Sequence, residues 1–405
     1  MTAALARTDR TASRPKHKPP PAPIPFRWGP REAAGALGDL GTFLPISLGL
    51  AVMCGMRFEA ILLFAGLMNI ASGWLFRQPL AVQPMKAIAA VAIAGALSPG
   101  TIAAGGLLTG AIVLGLAWVG GLDRLLRWIP PVVLRGLQLG VGLKLVWTSV
   151  DTAYADHGLD PALGWLAVVA VPLIWKATRR APVVLVVFAV GLAMAWRQAD
   201  ATWSWNWPVA PLWPSNADWF DAAWLLAPAQ VPLTLLNSVA AVCLLSADLF
   251  PGRGLPPKRV AVSVGWMNLL CTPLGGMPMC HGSGGLAGQH ACGARTGGSA
   301  ILLGLAKIGV AFALGAAAVD LLQAYPPSIL HALLMLAGGA LAWRGLRPCF
   351  DRPGRGTTLG ACAAVAAAVF AGHTLVGVAV AAMMLRPARA APAPHDAGAA
   401  THGDR

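Results

Sequence analysis

Charge is scarce in this sequence. Asp, Glu, Lys and Arg together make up 11% of the 405 residues, whereas hydrophobic residues make up 57%. A soluble globular domain usually carries about 25% charged residues, so this chain has too few to cover a water-facing surface. Apolar runs instead recur along the whole chain, which predicts an all-α polytopic protein of the lipid bilayer.

The sequence also lacks the motifs of pumps and hydrolases. It contains no GxxxxGK[ST] phosphate-binding loop, which argues against an ATP-driven pump, and neither GxSxG nor HExxH. Its seven cysteines form no CxxC and lie mostly in apolar runs, which indicates buried thiols rather than a disulfide framework. We therefore expect a protein that is not an enzyme, with no catalytic residue and no cofactor.

Basic residues are unevenly placed along the chain. The formal net charge is +14, but Lys and Arg cluster in the tails and in alternate loops, a pattern that indicates positive-inside topology and argues against nucleic-acid binding. Residues 1–31 lack an apolar core and a cleavage site, which predicts a disordered cytoplasmic tail and no secretory signal. We predict a second cytoplasmic tail at residues 387–405. We also expect the chain to lie in the inner membrane.

The apolar segments form two groups on either side of a tryptophan-rich stretch. We predict a first membrane repeat at 32–198, a second at 229–386, and an interfacial loop at 199–228 between them, because Trp favours the membrane boundary. With the N-terminus inside, fourteen spans put most Lys and Arg in the inner loops and little beyond Arg57 and Arg197 in the outer loops, an asymmetry that few other assignments give. This count takes the apolar block 357–385 as two spans.

Three short sequence matches relate the two groups. They pair 66–70 with 265–269, 83–86 with 277–280, and 129–131 with 325–327, at offsets of 199, 194 and 196 residues. Matches in the same order at a nearly constant offset predict two homologous halves. Seven spans in each half is an odd number, so the second half would lie upside down, as in the inverted repeats of secondary transporters.

Two proline- and glycine-interrupted segments occupy matching positions in the halves, at 79–87 and 275–289. In inverted-repeat transporters such broken helices meet at the midplane and form the substrate site. Proline disfavours helix in the preceding residue, so we expect each segment to start extended and to turn helical at about Met85 and at about Ser283. Two facing helix N-termini offer unpaired N–H groups and about half a positive charge each, which suits a small oxyanion.

Residues around these helix starts are the candidate substrate contacts. Lys86 would add a positive charge, the clustered glycines would let backbone amides approach closely, and Asp39 would carry a coupling proton or pair with a cation such as Lys86. By repeat arithmetic, the position that matches Asp39 is 235, which falls beside Asn237 and Ser238 of the eighth span; these two could offer neutral hydrogen bonds. The complete predicted set is Asp39, Thr42, Gln83, Lys86, Asn237, Ser238, His281, Gly282, Ser283, Gly284, Gly285 and Gln289.

These candidates also have plain structural interpretations. The glycines would serve close helix packing, Lys86 would snorkel to an interface, and Asp39 would sit in water near the inner end. For His281 and Ser283, capping of the half-helix is the alternative to ligand contact.

Two further chemistries involve the cysteines and histidines of the second segment. A membrane enzyme would use Cys280 and His281 as nucleophile and base, but adjacent residues on an extended segment point in opposite directions. Cys280, His281, His290 and Cys292 could in principle bind a soft metal, but their spacing matches no closed site. We therefore predict no metal site.

The interrupted segments resemble the signature regions of the molybdate transporter family, which is related to the sulfate permeases. The resemblance lies in Pro79–Lys86, in PMCHGSGGLAGQHACGARTGG beginning at Pro278, and in GALGDLGTF at Gly35–Phe43, and it covers about residues 33–345. It implies molybdate uptake and a uracil-permease-like fold of seven plus seven spans.

The leading hypothesis is a secondary active transporter that imports molybdate or a related tetrahedral oxyanion across the inner membrane by alternating access. The alternatives on the same fold are a transporter for sulfate, bicarbonate or a nucleobase, and a channel. The expected partners are the oxyanion and the bilayer, with no nucleic acid; assembly as a homodimer stays open.

Overall fold

The computed structural model describes residues 24–122, 124, 129–155, 182–199, 207–209, 211–350 and 355–371. This part of the chain is helical apart from two short strands and the connections, so the predicted all-α class is confirmed. In chain order the elements are α1 (Pro30–Leu37), α2 (Leu40–Cys54), α3 (Phe58–Phe76), β1 (Val82–Pro84), α4 (Lys86–Gly95), α5 (Pro99–Trp118), α6 (Pro131–Ala155), α7 (Pro182–Gln198), α8 (Asn216–Leu249), α9 (Pro257–Cys271), β2 (Met279–His281), α10 (Ser283–Ala291), α11 (Gly298–Leu314), α12 (Ala317–Gln323), α13 (Pro327–Phe350) and α14 (Arg355–Phe370).

Three of the described helices, α3, α5 and α8, are long and apolar enough to cross a membrane. Two bent pairs, α1 with α2 and α11 with α12, raise this number to five if each pair forms one span. The predicted span at 162–176 and residues 372–385 of the block 357–385 lie outside the described residues. The count of fourteen spans therefore stays a prediction.

Both proline- and glycine-interrupted segments are broken helices, as predicted. Strand β1 precedes α4 and strand β2 precedes α10, so the helices begin at Lys86 and Ser283. The two strands pair antiparallel, with Gln83 opposite Cys280, and the Met85 N–H donates to the Pro278 carbonyl at 2.9 Å. The pairing brings the N-terminal ends of α4 and α10 side by side.

The structure corrects the offset of one sequence match. Aligning 83–86 with 277–280 gives 194 residues, whereas the distance along the chain from strand to strand, Val82 to Met279, and from helix start to helix start, Lys86 to Ser283, is 197 residues. The proline-methionine pair common to both segments misleads the alignment, because Pro84 is the last residue of β1 whereas Pro278 comes just before β2.

Two asparagines hold the strands in place. Asn69 of α3 accepts from the Val82 N–H at 3.0 Å, and Asn268 of α9 accepts from the Met279 N–H at 2.8 Å. Asn268 also donates to the Met279 carbonyl at 2.6 Å. These residues are partners in the predicted repeat at offset 199, and each accepts a hydrogen bond from the first N–H of the strand in its own half.

Helix packing is reciprocal between the predicted halves. Helix α3 packs on α11, and its repeat counterpart α9 packs on α5. Gly66 and Gly304 bring the first pair together, since a methyl group at Gly66 would lie only 2.7 Å from the Gly304 carbonyl oxygen. Gly265 and Gly110 do so in the second pair, where the corresponding distance is 3.1 Å. Reciprocal packing of this kind is expected for two related halves. The inversion of the second half and the count of seven plus seven spans stay predictions.

The buried apolar residues form two main groups. The larger joins α2 to α5 with α8 to α11, and a smaller one joins α6, α13 and α14 to the middle of α8. Arg135 of α6 reaches across to α8, where its guanidinium forms a two-pronged ion pair with Asp248 that includes an Nη2 to Oδ1 bond of 3.0 Å.

Two element boundaries differ from the sequence-based expectation. The first apolar segment is not one rod, because α1 and α2 meet at an angle of 44°. Helix α8 begins at Asn216, inside the predicted loop 199–228. Ser215 and Asp218 form a capping box there, with each side chain bonded to the backbone N–H of the other, and this local signal starts the helix early.

Candidate functional site

The candidate site lies where the ends of α4 and α10 meet the start of α2 and the middle of α8. Asp39 stands between α1 and α2 and is 1% exposed. Its Oδ1 accepts a hydrogen bond of 2.5 Å from Gln83 Nε2 on strand β1. The bend before α2 therefore places a buried carboxylate against the strand that leads into α4.

Two of the predicted glycines provide room for this pair. A methyl group at Gly282 would overlap Gln83 Oε1, and one at Gly285 would lie 2.8 Å from both Asp39 Oδ1 and Gln83 Nε2. At Gly284 the nearest atom is the flexible Leu145 Cδ1, at 3.2 Å. Gly282 and Gly285 are thus needed for the close approach of two polar side chains to α10.

Helix α8 contacts the second broken segment through Asn237 and Ser238, the two predicted residues of the eighth span. Asn237 Oδ1 accepts from the Ser283 hydroxyl at 2.7 Å, and Ser238 interacts with the Cys280 side chain. Both residues are buried and belong to the π-helical segment Thr234–Ala241. A π-helical turn shifts the residues that follow it around the helix axis, and such turns recur at functional sites.

Two lysines bring positive charge to Asp39. Lys86 is the first residue of α4 and Lys307 lies in the middle of α11. Both ammonium groups are buried without a hydrogen-bond acceptor in the described part of the chain, and both interact electrostatically with Asp39. The sequence marks Lys307 only as a charge in an apolar segment, because nothing local links position 307 to position 39.

The His281 side chain does not point towards Asp39 and the two lysines. Its Nε2 lies 3.1 Å from Ser263 Oγ, its Nδ1 lies 3.3 Å from the Ala81 carbonyl, and its ring packs edge-on to Phe76. Both ring nitrogens are therefore engaged on the side of α3 and α9. Cys280, its neighbour on the strand, faces Ser238 instead, so the two side chains do not form a nucleophile and base.

The remaining two candidates lie at the edge of the site. Gln289 is buried one to two turns into α10, where its Oε1 accepts from Ser299 at 3.1 Å and its Nε2 has no acceptor among the described residues. Thr42 is buried in the first turn of α2, and its N–H donates to the Asp39 carbonyl at 3.1 Å.

Gln230 of α8 is a site residue that the sequence-based prediction missed. Its Oε1 accepts from the backbone N–H groups of Ala87 at 2.9 Å and Ile88 at 3.2 Å, in the first turn of α4. The available signal was an uncharged polar side chain inside an apolar span, where such residues are costly unless they are paired.

The site is rich in donors for an anion. In the first turn of α10, the N–H groups of Ser283, Gly284 and Gly285 have no acceptor within the described ranges. Exposed N–H groups at a helix start attract negative charge, and the nearby lysines act in the same direction. In the part of the chain that the structure describes, no group of three or more His, Cys, Asp or Glu side chains could hold a metal ion.

Comparison with known proteins adds independent information. Residues 31–145 and 222–341 match the sequence family described as "Molybdate transporter of MFS superfamily". Molybdate transporter 2 of Arabidopsis thaliana is 38% identical, over 77% of this chain and 78% of that protein. Molybdate transporter 1 of Chlamydomonas reinhardtii is 32% identical, over 77% of this chain and 83% of that protein.

Solved structures with a similar fold are anion transporters. The transmembrane domain of the cyanobacterial bicarbonate transporter BicA superposes with a TM-score of 0.57 at 15% identity, covering 89% of this chain and 98% of that chain. Murine Slc26a9 in its inward-facing state superposes with a TM-score of 0.59 at 12% identity, covering 87% of this chain and 67% of that chain. At these identities the likeness shows the fold, and the predicted uracil-permease-like architecture is confirmed.

Proposed function

This chain belongs to the molybdate transporter family, and we propose that it is a secondary active transporter that imports molybdate across the inner membrane. As a member of a family of multi-pass membrane transporters it is an anion transporter and not an enzyme. The substrate, the direction, the coupling and the residues that hold the anion are the subject of the proposal.

The pairing of β1 with β2 is the observation that carries this proposal. It joins the two broken helices at their N-terminal ends and leaves first-turn amides of α10 without acceptors in the described chain. Buried N–H groups without acceptors are rare in folded proteins because each costs about 1–3 kcal/mol. An oxyanion bound at this point would supply acceptors that the described chain does not.

The charges near the strands suit a dianion. Lys86 and Lys307 contribute two positive charges against the single negative charge of Asp39, and each helix start adds about half a positive charge. The sum is close to two positive charges, the amount that molybdate carries with opposite sign. Burial makes each charge count for more than it would in water.

The anion would lie between Lys86, the first turn of α10 and the polar residues of α8. In this arrangement Asn237 orients Ser283, and Gln83 and Asp39 hold the strand against α10. Asp39 Oδ2 is buried without a partner within the described residues, so Asp39 is the group that we propose takes up a coupling proton. We place this site near the midplane of the membrane.

The division of the apolar core supports the proposal of alternating access. The half-helix α10 belongs to the larger group yet packs on α13, and Gly284 meets Leu145 of α6. The anion site would therefore lie at the seam between the two groups. A movement of one group against the other would expose this seam to one side of the membrane and then to the other.

The test is uptake of radiolabelled molybdate into proteoliposomes under an imposed pH gradient. We expect saturable uptake that falls to background in Lys86→Ala and Gln83→Ala. Lys258→Ala removes an exposed lysine at the start of α9 and serves as the matched control, with uptake at the wild-type level. Normal accumulation in both site variants would refute the assignment of the site.

Sulfate is the alternative substrate, because helix N-termini bind tetrahedral oxyanions by charge and shape alone. A tenfold excess of sulfate in the same assay separates the two: molybdate uptake is retained if molybdate is preferred and lost if sulfate binds better. Anion currents that do not saturate would instead favour a channel.

Topology and assembly form part of the proposal. The positive-inside rule puts Arg253, which precedes α9, and Lys258 and Arg259, in its first turn, on the cytoplasmic side together with the N-terminus. Protease protection of an N-terminal tag in inverted and right-side-out vesicles tests this orientation. Light scattering of the purified protein in detergent tests the homodimer.

A further inference from the structure

The two half-helices of the site differ at their N-terminal ends. Helix α4 is capped by a side chain of another helix. Met85 at its N-cap position provides no side-chain acceptor, and Gln230 of α8 provides one instead. The Gln230 Oε1 atom receives the N–H groups of Ala87 and Ile88, and its Nε2 donates to Thr234 Oγ1 at 2.9 Å. With 1% exposure, Gln230 is a buried cap whose amide oxygen and amide nitrogen both have partners.

Helix α10 is open by contrast. Its N-cap is Gly282, which has no side chain, and the hydroxyl of Ser283 is turned away to Asn237. No described residue accepts from the N–H groups of Ser283, Gly284 or Gly285. The buried Gln83 Oε1, which lies against Gly282, also has no partner within the described residues.

We propose that Gln230 is the positioning residue that decides which half-helix holds the oxyanion. It occupies the acceptor position on α4, so the anion binds off-centre, on the open amides of α10 and on Lys86. This inference rests on the proposed function and refines its site. An anion oxygen that bound to the α4 amides would have to displace the Gln230 carbonyl and leave it buried without a donor, which is costly.

The substitution Gln230→Glu separates this role from a purely structural one. Glutamate has the same length and shape, so it keeps both bonds to α4, and a negative charge at a helix start strengthens such bonds. The same charge repels a dianion bound nearby. We therefore expect a protein that unfolds at the wild-type temperature or above, with a KM for molybdate raised by about tenfold or more.

The substitution Gln230→Met has the opposite effect on binding. Methionine fills similar space but accepts no hydrogen bond of this strength, so the Ala87 and Ile88 amides become available to the anion. We expect a lower unfolding temperature and a KM for molybdate that falls below the wild-type value. A cap with a purely structural role would instead raise the KM, or leave it unchanged, in both variants.

The experiment measures molybdate uptake kinetics and detergent unfolding temperature for wild type, Gln230→Glu, Gln230→Met and the control Gln138→Glu. Gln138 is also a buried glutamine that touches α8, through the Ala241 carbonyl, but its other partner is Arg135, which pairs with Asp248. Opposite shifts of KM in the two Gln230 variants, with no change in the control, support the inference.

Three results would overturn it: equal KM values for wild type and Gln230→Glu, a KM increase in Gln138→Glu as large as in Gln230→Glu, or an increase in Gln230→Met. If the wild-type protein takes up molybdate and any of these results is obtained, this inference alone is refuted. If the wild-type protein takes up neither molybdate nor sulfate, the proposed function is refuted as well.

Discussion

The ammonium group of Lys307 lies 3.3 Å from the centre of the Phe43 ring. Phe43 follows Asp39 by one helical turn on α2, so both residues face the same side and Lys307 interacts with the Asp39 charge. The aromatic face attracts the cation without neutralising it. Lys307 can therefore compensate Asp39 and leave Lys86 free for a bound anion.

The first prediction concerns this pairing of charges. Lys307→Met leaves the Asp39 carboxylate with less compensation, and we expect a loss of about 3–5 kcal/mol of stability, the usual cost of a buried charge without its partner. The double variant Asp39→Asn/Lys307→Met removes both charges and regains most of that stability. Unfolding temperatures in detergent measure both effects. A double variant no more stable than Lys307→Met alone would contradict the pairing.

The local part of the site could be predicted from the sequence, because proline and glycine act on the backbone where they stand. The helix starts at Lys86 and Ser283 followed from that pattern. The partners that complete the site come from distant helices: Lys307 on α11 and Gln230 on α8. No pattern in one sequence fixes which residue of a long helix faces a particular amide.

His281 shows the same limit on a smaller scale. Alternation along an extended segment predicts that Cys280 and His281 point in opposite directions, and they do. Which of the two faces the site depends on the side from which β1 and α8 approach. That is a property of the packed structure, and here it places Cys280 against Ser238 and His281 against Ser263.

The second prediction uses the equivalence of Asn69 and Asn268. Replacing either by Ala removes the acceptor of a buried strand N–H, at a cost of about 1–3 kcal/mol. Asn268→Ala is expected to cost more, because Asn268 also donates to the Met279 carbonyl, whereas Asn69 has one bond to its strand.

Thermal unfolding of both variants measures these costs, with Asn216→Ala as a control. Asn216 is exposed at the start of α8, and its replacement is expected to change little. Unfolding at the wild-type temperature in Asn69→Ala and Asn268→Ala would show that the strands do not depend on these side chains.

The third prediction concerns the close approach at Gly282. A methyl group there would overlap Gln83 Oε1, so Gly282→Ala must displace Gln83 and break its bond to Asp39. We expect uptake to fall to background while the protein still reaches the membrane. Gly309→Ala is the control, because a methyl group at this glycine of α11 meets nothing within 4 Å and alanine favours the helix. Wild-type uptake in Gly282→Ala would show that the Asp39 to Gln83 bond is dispensable.

The last prediction concerns Arg135 and Asp248, which join α6 to α8 across the two apolar groups. Arg135 is 8% exposed, so Asp248→Asn leaves a buried guanidinium with less compensation, and we expect a loss of about 1–3 kcal/mol because the partner carboxylate is partly exposed. The control Asp221→Asn changes an exposed carboxylate of the same helix and should change stability by less than about 0.5 kcal/mol. The pair also resists separation of the two groups, so a movement that parts α6 from α8 must break it. Asp248→Asn should then change the maximal uptake rate and leave the KM for molybdate near its wild-type value. A change in KM alone would mean that the pair acts on the anion site and not on the movement.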